Sequence, residues 1–301
     1  MKKFIDYSKK IGRDFMLCQG PGGNTSFKID NIIYIKKSGL HLSKATTNTF
    51  QKIEYSKILD FYQSSKKRNE KFDKKLSIET PLHVLSDARY IFHYHSIASI
   101  ICSAIYKKDS LNKLLLNENI LPIKYLRPGL SLALEIKDSK DKKSFSSIFL
   151  HNHGMVIEGS VLQEVYEKIH KIEDFFKTLI DYKLLFEIKN NIVKLEQKNL
   201  RIKNPNSEIK YEKFNQKFLF PDHAVFFPFP IDKDKNSSIN YDKDYIYFDK
   251  KLSETELIYF KTLLIIFNYI KNKQILNYID QDKSIDLRNS KDEKLRQKLN
   301  K

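Results

Sequence analysis

A mixed α/β fold is the expectation from this sequence, and three features carry it. Short apolar runs of strand length, closed by glycine or by an Asp-Asn pair, alternate with stretches whose apolar residues recur at helical spacing. At 301 residues and 41% hydrophobic composition the chain can bury a real core, as one large domain or one domain with an appendage. The texture changes near residue 190, where lysine and asparagine runs begin, so the division expected is residues 1–190 followed by a C-terminal extension, 191–301, packing on the same domain.

Residues 4–18 carry Ile5, Ile11, Phe15 and Leu17 at helical spacing and stop before Gly20, Gly22 and Gly23. Residues 24–29 and 32–36 read as two strands joined by the tight turn Asp30-Asn31. Backbone amides of the glycine loop can hold anionic oxygens, with Asn24 and Ser38 adding side-chain donors. An ordinary glycine-rich turn is the plain alternative. A strand followed by Gly-x-Gly-x-x-Gly and a helix does not occur, so a dinucleotide site is not expected. Residues 53–62 suggest a short helix, and 64–75, nearly all polar, a solvated loop.

Residues 90–95 read as a strand, with Tyr90, Ile91 and Phe92 supporting it and the apolar run 97–105 suited to a buried helix behind. Alternation along a strand sends His93 and His95 to the same side with Tyr94 opposite, and two imidazoles side by side can chelate one ion. Hydrogen-bonded core histidines fit the same pair, so more ligands are needed. Residues 148–157 supply them: a short apolar strand ends in His151-Asn152-His153-Gly154 and turns into a second apolar run, the pattern of a hairpin with functional groups at its tip. His151 and His153 share a parity, which does not choose between them. Three histidines with an open fourth position are the expected shell of a catalytic zinc. Glu79 stands upstream as a base, as a further ligand, or simply as a carboxylate at the start of the helix that Thr80-Pro81 favours.

Between the His pair and the hairpin, 111–116 suggests a helix, 120–125 a strand, and 131–136 either. Residues 160–185 give the longest helical pattern, with Ser160 as its expected N-cap. Farther on, 218–228 forms an aromatic run around Pro221-Asp222-His223, in which His223 reads as a loop residue capping a strand, with an approach to the histidine site as the alternative, and 254–270 suggests another helix. His41, His83 and His170 have no partner at useful spacing.

Taken together, Gly22-Gly23-Asn24-Thr25-Ser26, Lys37-Ser38-Gly39, Ser77-Ile78-Glu79-Thr80, His93-Tyr94-His95 and His153-Gly154 resemble the ordered motifs of the class II aldolase and adducin family. The wording Ile-Glu-Thr-Pro-Leu-His and the short Glu79-to-His93 interval look most like the aldolase half of bifunctional rhamnulose-phosphate aldolase and dehydrogenase proteins, as does Pro-Asp-His. Ile78 stands where many phosphate-specific relatives have a second serine.

The resemblance implies a three-layer α/β/α fold with a mostly antiparallel central sheet. It implies zinc, or another divalent ion, on His93, His95 and His153, and Glu79 as general base with its pKa lifted by a partly dry pocket. Phosphate would sit on Gly23, Asn24, Ser38, Gly39 and Ser77. The activity implied is that of an aldolase-type lyase, cleaving or forming a carbon–carbon bond in a ketose, a sugar phosphate above all, through a metal-stabilised enediolate. Epimerases and dehydratases use the same kind of site, and a metal-free adducin-like interaction module shares the fold, so these remain alternatives. A homo-oligomer, commonly a tetramer in that family, is also implied.

The net charge of +17 raises nucleic-acid binding. Lysines are spread through almost every segment without a recognised nucleic-acid motif, so no nucleic-acid partner is expected; a positive field instead attracts phosphorylated or carboxylated small molecules. No apolar run approaches bilayer-spanning length and Met1-Lys2-Lys3-Phe4 lacks a signal-peptide core, so no membrane partner is expected. Cys18 and Cys102, both in apolar settings, suggest buried thiols and a cytoplasmic location.

Overall fold

The structure, a computed structural model, describes residues 1–64, 72–140, 145–209, 211, 218–227, 231–232 and 239–300. In chain order the first half contains α1 (Lys2–Arg13), β1 (Asn24–Ile29), β2 (Ile32–Lys36), β3 (Phe50–Glu54), α2 (Tyr55–Ser64), α3 (Thr80–Val84), β4 (Tyr90–Tyr94), α4 (Ile97–Ile105), α5 (Lys108–Asn117), β5 (Leu121–Ile123), α6 (Leu130–Lys140), β6 (Ser147–Leu150), β7 (Gly154–Gly159) and α7 (Leu162–Thr178). There follow α8 (Tyr182–Val193), β8 (Arg201–Lys203), α9 (Pro221–Phe226), β9 (Ile231–Asp232), β10 (Ile239–Tyr241), β11 (Tyr245–Phe248), α10 (Glu254–Ile270), α11 (Gln281–Asn289) and α12 (Lys291–Leu299).

The seven strands β1 to β7 form one sheet in the order β3-β2-β1-β4-β7-β6-β5. Its pairings are antiparallel except for β5 with β6, which is parallel. Alternation along the strands explains the two layers that cover it. Phe92, Tyr94, Phe149, Met155 and Ile157 face one side, where Phe4 and Ile11 of α1, Cys102 of α4, Leu111 of α5 and Ile169 and Phe176 of α7 pack on them. Ile33, Ile35, Ile91, Ile148 and Val156 face the other, against Ile58 of α2, Leu82 of α3 and Ala133 of α6. Helices therefore lie on both faces of a mixed sheet.

The C-terminal part has a second sheet, β8-β11-β10-β9. Its core helix α10 buries Tyr259, Phe260, Leu263, Leu264, Ile265, Ile266 and Phe267, apolar almost all round as a fully enclosed helix must be. That cluster continues into Ile97, Ile100, Ile101 and Ala104 of α4. Ser253 and Glu256 close the N-terminus of α10 with a capping box. Among the described residues no helix is long and apolar enough to cross a membrane.

The expected elements shift in four places. The first helix stops at Arg13 rather than running to Cys18. Residue 53 belongs to a short edge strand, β3, and the helix behind it starts at Tyr55. The single helix expected over 160–185 is two. No side-chain bond caps the start of α7 at Ser160, and Asp181 ends the continuity because its carboxylate accepts from the Leu184 amide (3.0 Å), an N-cap bond that starts α8. His223 lies in the helix α9, not in a loop. Residues 65–71 of the expected solvated loop fall outside the described residues.

Candidate metal centre

Four buried side chains converge near the end of β4. Ligand atoms of Glu79, His93, His95 and His153 all lie within 4.8 Å of one another. His93 is on β4, in register with Asn24 of β1 and Val156 of β7, and His95 follows the strand on the same side. Glu79 sits at the N-cap of α3. His153 comes from the β6–β7 turn, which reaches the cluster because Gly154 allows backbone contact that no side chain would permit. Its φ is +158°, and a Cβ there would lie 2.3 Å from the Tyr94 carbonyl oxygen.

The second histidine of that turn does something else. His151 Nε2 donates to Asn112 Oδ1 (2.8 Å), and its Nδ1 lies 3.3 Å from Ser103 Oγ, so it ties the turn to α4 and α5. Parity left the pair undivided, and the tight turn separates them. Asn152 between them takes φ +54°, which reverses the chain.

The donor set suits a divalent cation. His93 Nδ1 donates to the Met155 carbonyl (2.9 Å), which fixes the ring and turns Nε2 toward the cluster. Burial opposes a charge on that ring, but Glu79 outweighs burial and raises the His93 pKa; a cation there would take the place of that proton. His93 Nε2 is 3.0 Å from His95 Nε2 and 3.2 Å from Glu79 Oε1, and His153 Nε2 is 3.1 Å from the same oxygen. Ligand atoms about 2.0–2.1 Å from a tetrahedral zinc stand about 3.3 Å from one another, so these three separations match adjacent donors around one ion, in a set that spans 4.8 Å at its widest. Glu79 Oε1, although buried, receives no aligned hydrogen bond among the described residues. A buried carboxylate oxygen left in that condition is costly unless a cation completes it.

Charge within the cluster departs from the sequence expectation. Burial opposes ionisation of Glu79, but His93 and His153 outweigh it and hold the carboxyl well below its usual range, not lifted as expected. Burial also pushes His153 down to about 4, leaving a neutral imidazole able to serve as a ligand.

Asn24, expected at a phosphate, is engaged with the cluster. Its Nδ2 donates to Glu79 Oε2 (2.7 Å), and its Oδ1 accepts from His83 Nε2, whose Nδ1 meets Ser26 Oγ at 2.8 Å. His83 is thus the buried brace that orients Asn24. The sequence reading set it aside because its partners lie on another strand. Ser77 Oγ accepts from the Glu79 amide (3.2 Å), and Gly23 lies against the His93 carbonyl. Ser38 and Gly39 do not join the cluster in the same way. The Ser38 amide donates to the Lys75 carbonyl (2.8 Å), and the Gly39 carbonyl accepts from Asn300 of the C-terminal tail (3.3 Å).

Other groups were not singled out by the sequence. Buried Lys36 donates to the Pro21 and Gly23 carbonyls, both at 2.9 Å, and so holds the glycine loop; burial pushes it down to about 8. Asp222 places Oδ2 3.1 Å from His95 Nδ1, while its Oδ1 pairs with Arg296 (2.5 Å) and Oδ2 accepts from Tyr259 (2.6 Å). Burial opposes its charge, but Arg296 and the bonds from His95 and Tyr259 hold the carboxyl well below its usual range. The neighbouring His223, which the Pro-Asp-His wording brought forward, packs instead among Phe218, Phe220 and Phe267.

The sequence profile of the Class II Aldolase and Adducin N-terminal domain matches residues 2–180. The chain is 28% identical over 182 residues to the L-fuculose phosphate aldolase of Methanocaldococcus jannaschii, covering 58% of this chain and 91% of that protein. It is 25% identical over 191 residues to the uncharacterized oxidoreductase YuxG of Bacillus subtilis, covering 56% of this chain; it spans only 28% of that longer protein. Among solved structures, the N-terminal class II aldolase domain of a conserved protein from Thermoplasma acidophilum aligns with a TM-score of 0.48 at 24% identity, over 57% of this chain and 91% of that one.

Proposed function

The chain belongs to the class II aldolase and adducin family, and on that premise we propose that it is a metal-dependent aldolase-type lyase acting on a ketose, a sugar phosphate above all. The observation that carries the proposal is the convergence of Glu79, His93, His95 and His153 on one buried point. His93, His95 and His153 would hold a divalent cation, zinc among the candidates, which when bound supplies Lewis-acid stabilisation of the oxyanion that develops as the carbon–carbon bond breaks.

The chain's own groups do the rest. Glu79 Oε2 is engaged by Asn24, so Oε1 is the oxygen left to take the proton from the carbon next to the carbonyl in the bond-forming direction. In cleavage the same carboxyl returns that proton to the carbon from which the bond has broken. Asn24, braced by His83, keeps the carboxylate from turning away. Gly23, Asn24, Ser38, Gly39 and Ser77 are proposed as contacts for the substrate phosphate. Supporting this, the Ser38–Lys75 bond brings the two serine-bearing segments together, and the positive field of the chain favours an anionic substrate. A homo-oligomer and a cytoplasmic location belong to the same proposal.

The test is a cleavage assay with zinc-loaded protein on a panel of ketose 1-phosphates, L-fuculose phosphate included because one relative is named for it. Release of aldehyde by wild type and its loss in Glu79→Gln are expected. No cleavage of any ketose, phosphorylated or not, by protein that demonstrably carries metal would overturn the lyase reading.

A further inference from the structure

We infer that Asp222 is a positioning residue of the metal centre: its carboxylate holds the His95 ring from the Nδ1 side, so that Nε2 is presented to the other donors. This rests on the metal-centre reading above, and it places part of the control of metal affinity in the C-terminal part of the chain, outside residues 2–180.

Four observations support it. Asp222 Oδ2 is 3.1 Å from His95 Nδ1, and both residues are buried. The carboxylate is fixed in rotation, since Arg296 takes Oδ1 (2.5 Å) and the Tyr259 hydroxyl donates to Oδ2 (2.6 Å). Gly22 leaves the gap open: a Cβ there would lie 2.8 Å from Asp222 Oδ2 and 3.0 Å from His95 Nδ1. The backbone of His95 is held as well, because Gln19 Nε2 donates to the His95 carbonyl (3.2 Å).

With a carboxylate set beside Nδ1, an imidazole presents its other nitrogen as the ligand, and loss of such a partner typically weakens metal binding about 10- to 100-fold. An ion pair serving the fold alone would be complete with Arg296 and Tyr259. The approach to His95 goes beyond what that pair needs, and it orients a donor.

The test measures zinc affinity of the full chain by competition with a chromophoric chelator, for wild type, Asp222→Asn and Tyr259→Phe, alongside circular dichroism of the metal-stripped proteins. A 10- to 100-fold weaker affinity in Asp222→Asn, and a smaller loss in Tyr259→Phe, are expected, with the wild-type spectrum retained. Tyr259→Phe carries the test where Asp222→Asn does not fold, with a several-fold weaker affinity expected. Wild-type affinity in the folded variant overturns the inference and leaves the metal centre standing. Failure of wild type itself to take up zinc overturns both.

Discussion

Two buried charged clusters meet at His95, and they are built on opposite rules. Around Asp222 each charge finds a counter-charge or a donor: Arg296 pairs with Asp222 and with Glu293 (3.2 Å), and Tyr259 completes the carboxylate. Around Glu79 the ring nitrogens of three imidazoles and one carboxylate point inward, and Glu79 Oε1 has no aligned donor among the described residues. The first arrangement is complete as a piece of structure. The second is complete only with a cation, and that difference separates a brace from a binding site.

The largest effect should come from emptying the second cluster. His93→Ala with His95→Ala removes two donors, and because a bound cation contributes several kcal/mol of transition-state stabilisation, catalytic efficiency on a cleaved ketose should fall about a thousandfold or more. Loss of similar size in a variant of His151 instead would reverse the assignment of the two turn histidines.

Next in size is Arg296→Met. Removing one partner of a buried pair leaves Asp222 uncompensated, which costs about 3–5 kcal/mol, read as a lowered midpoint in denaturant unfolding. A midpoint within error of wild type would mean that the Asp222 cluster is not the brace described.

Glu173 extends the contrast. It is a buried carboxylate that accepts from Ser96 Oγ (2.8 Å), with no cation paired to it among the described residues as Arg296 is to Asp222, and burial pushes it up to about 7. Since its folded pKa lies above the ordinary 4.5, its contribution is fully present below about pH 4.5 and is lost as pH rises to 7. Glu173→Gln should therefore gain on wild type between those values, by about 3 kcal/mol at most, and track it above pH 7. A difference independent of pH across that window would show that Glu173 is ionised throughout.

Smaller again is Gly154→Ala. A methyl group 2.3 Å from the Tyr94 carbonyl forces the His153 turn outward, at about 1–3 kcal/mol of stability, with weaker metal binding.

The strands and the His93–His95 pair were legible from local periodicity, while the choice of His153 and the role of Glu79 came from the resemblance of the ordered motifs. Alternation placed His93 and His95 on one side of a strand, and the turn residues of the hairpin marked where a third histidine arrives. What was not legible depends on contacts distant in sequence. Parity could not separate His151 from His153, since a left-handed Asn152 and the close approach of Gly154 divide them. Asp222 went unread beside the more conspicuous His223, because only the packing of α9 and α12 against the first half of the chain shows which side chain reaches His95. Glu79 was expected to be lifted by burial, and the imidazoles that reverse this come from two other segments. Helix breaks such as that at Asp181 are equally hidden, as the residues on either side keep a helical pattern.

The decisive measurement is elemental analysis of wild-type protein purified without chelator, beside the His93→Ala, His95→Ala variant. About one equivalent of zinc, manganese, iron or cobalt per chain, absent from the variant, is the result expected of a cluster built to hold a cation. Metal-free wild type, even after soaking with zinc, would contradict it and leave the four inward-facing groups as a feature of the fold alone.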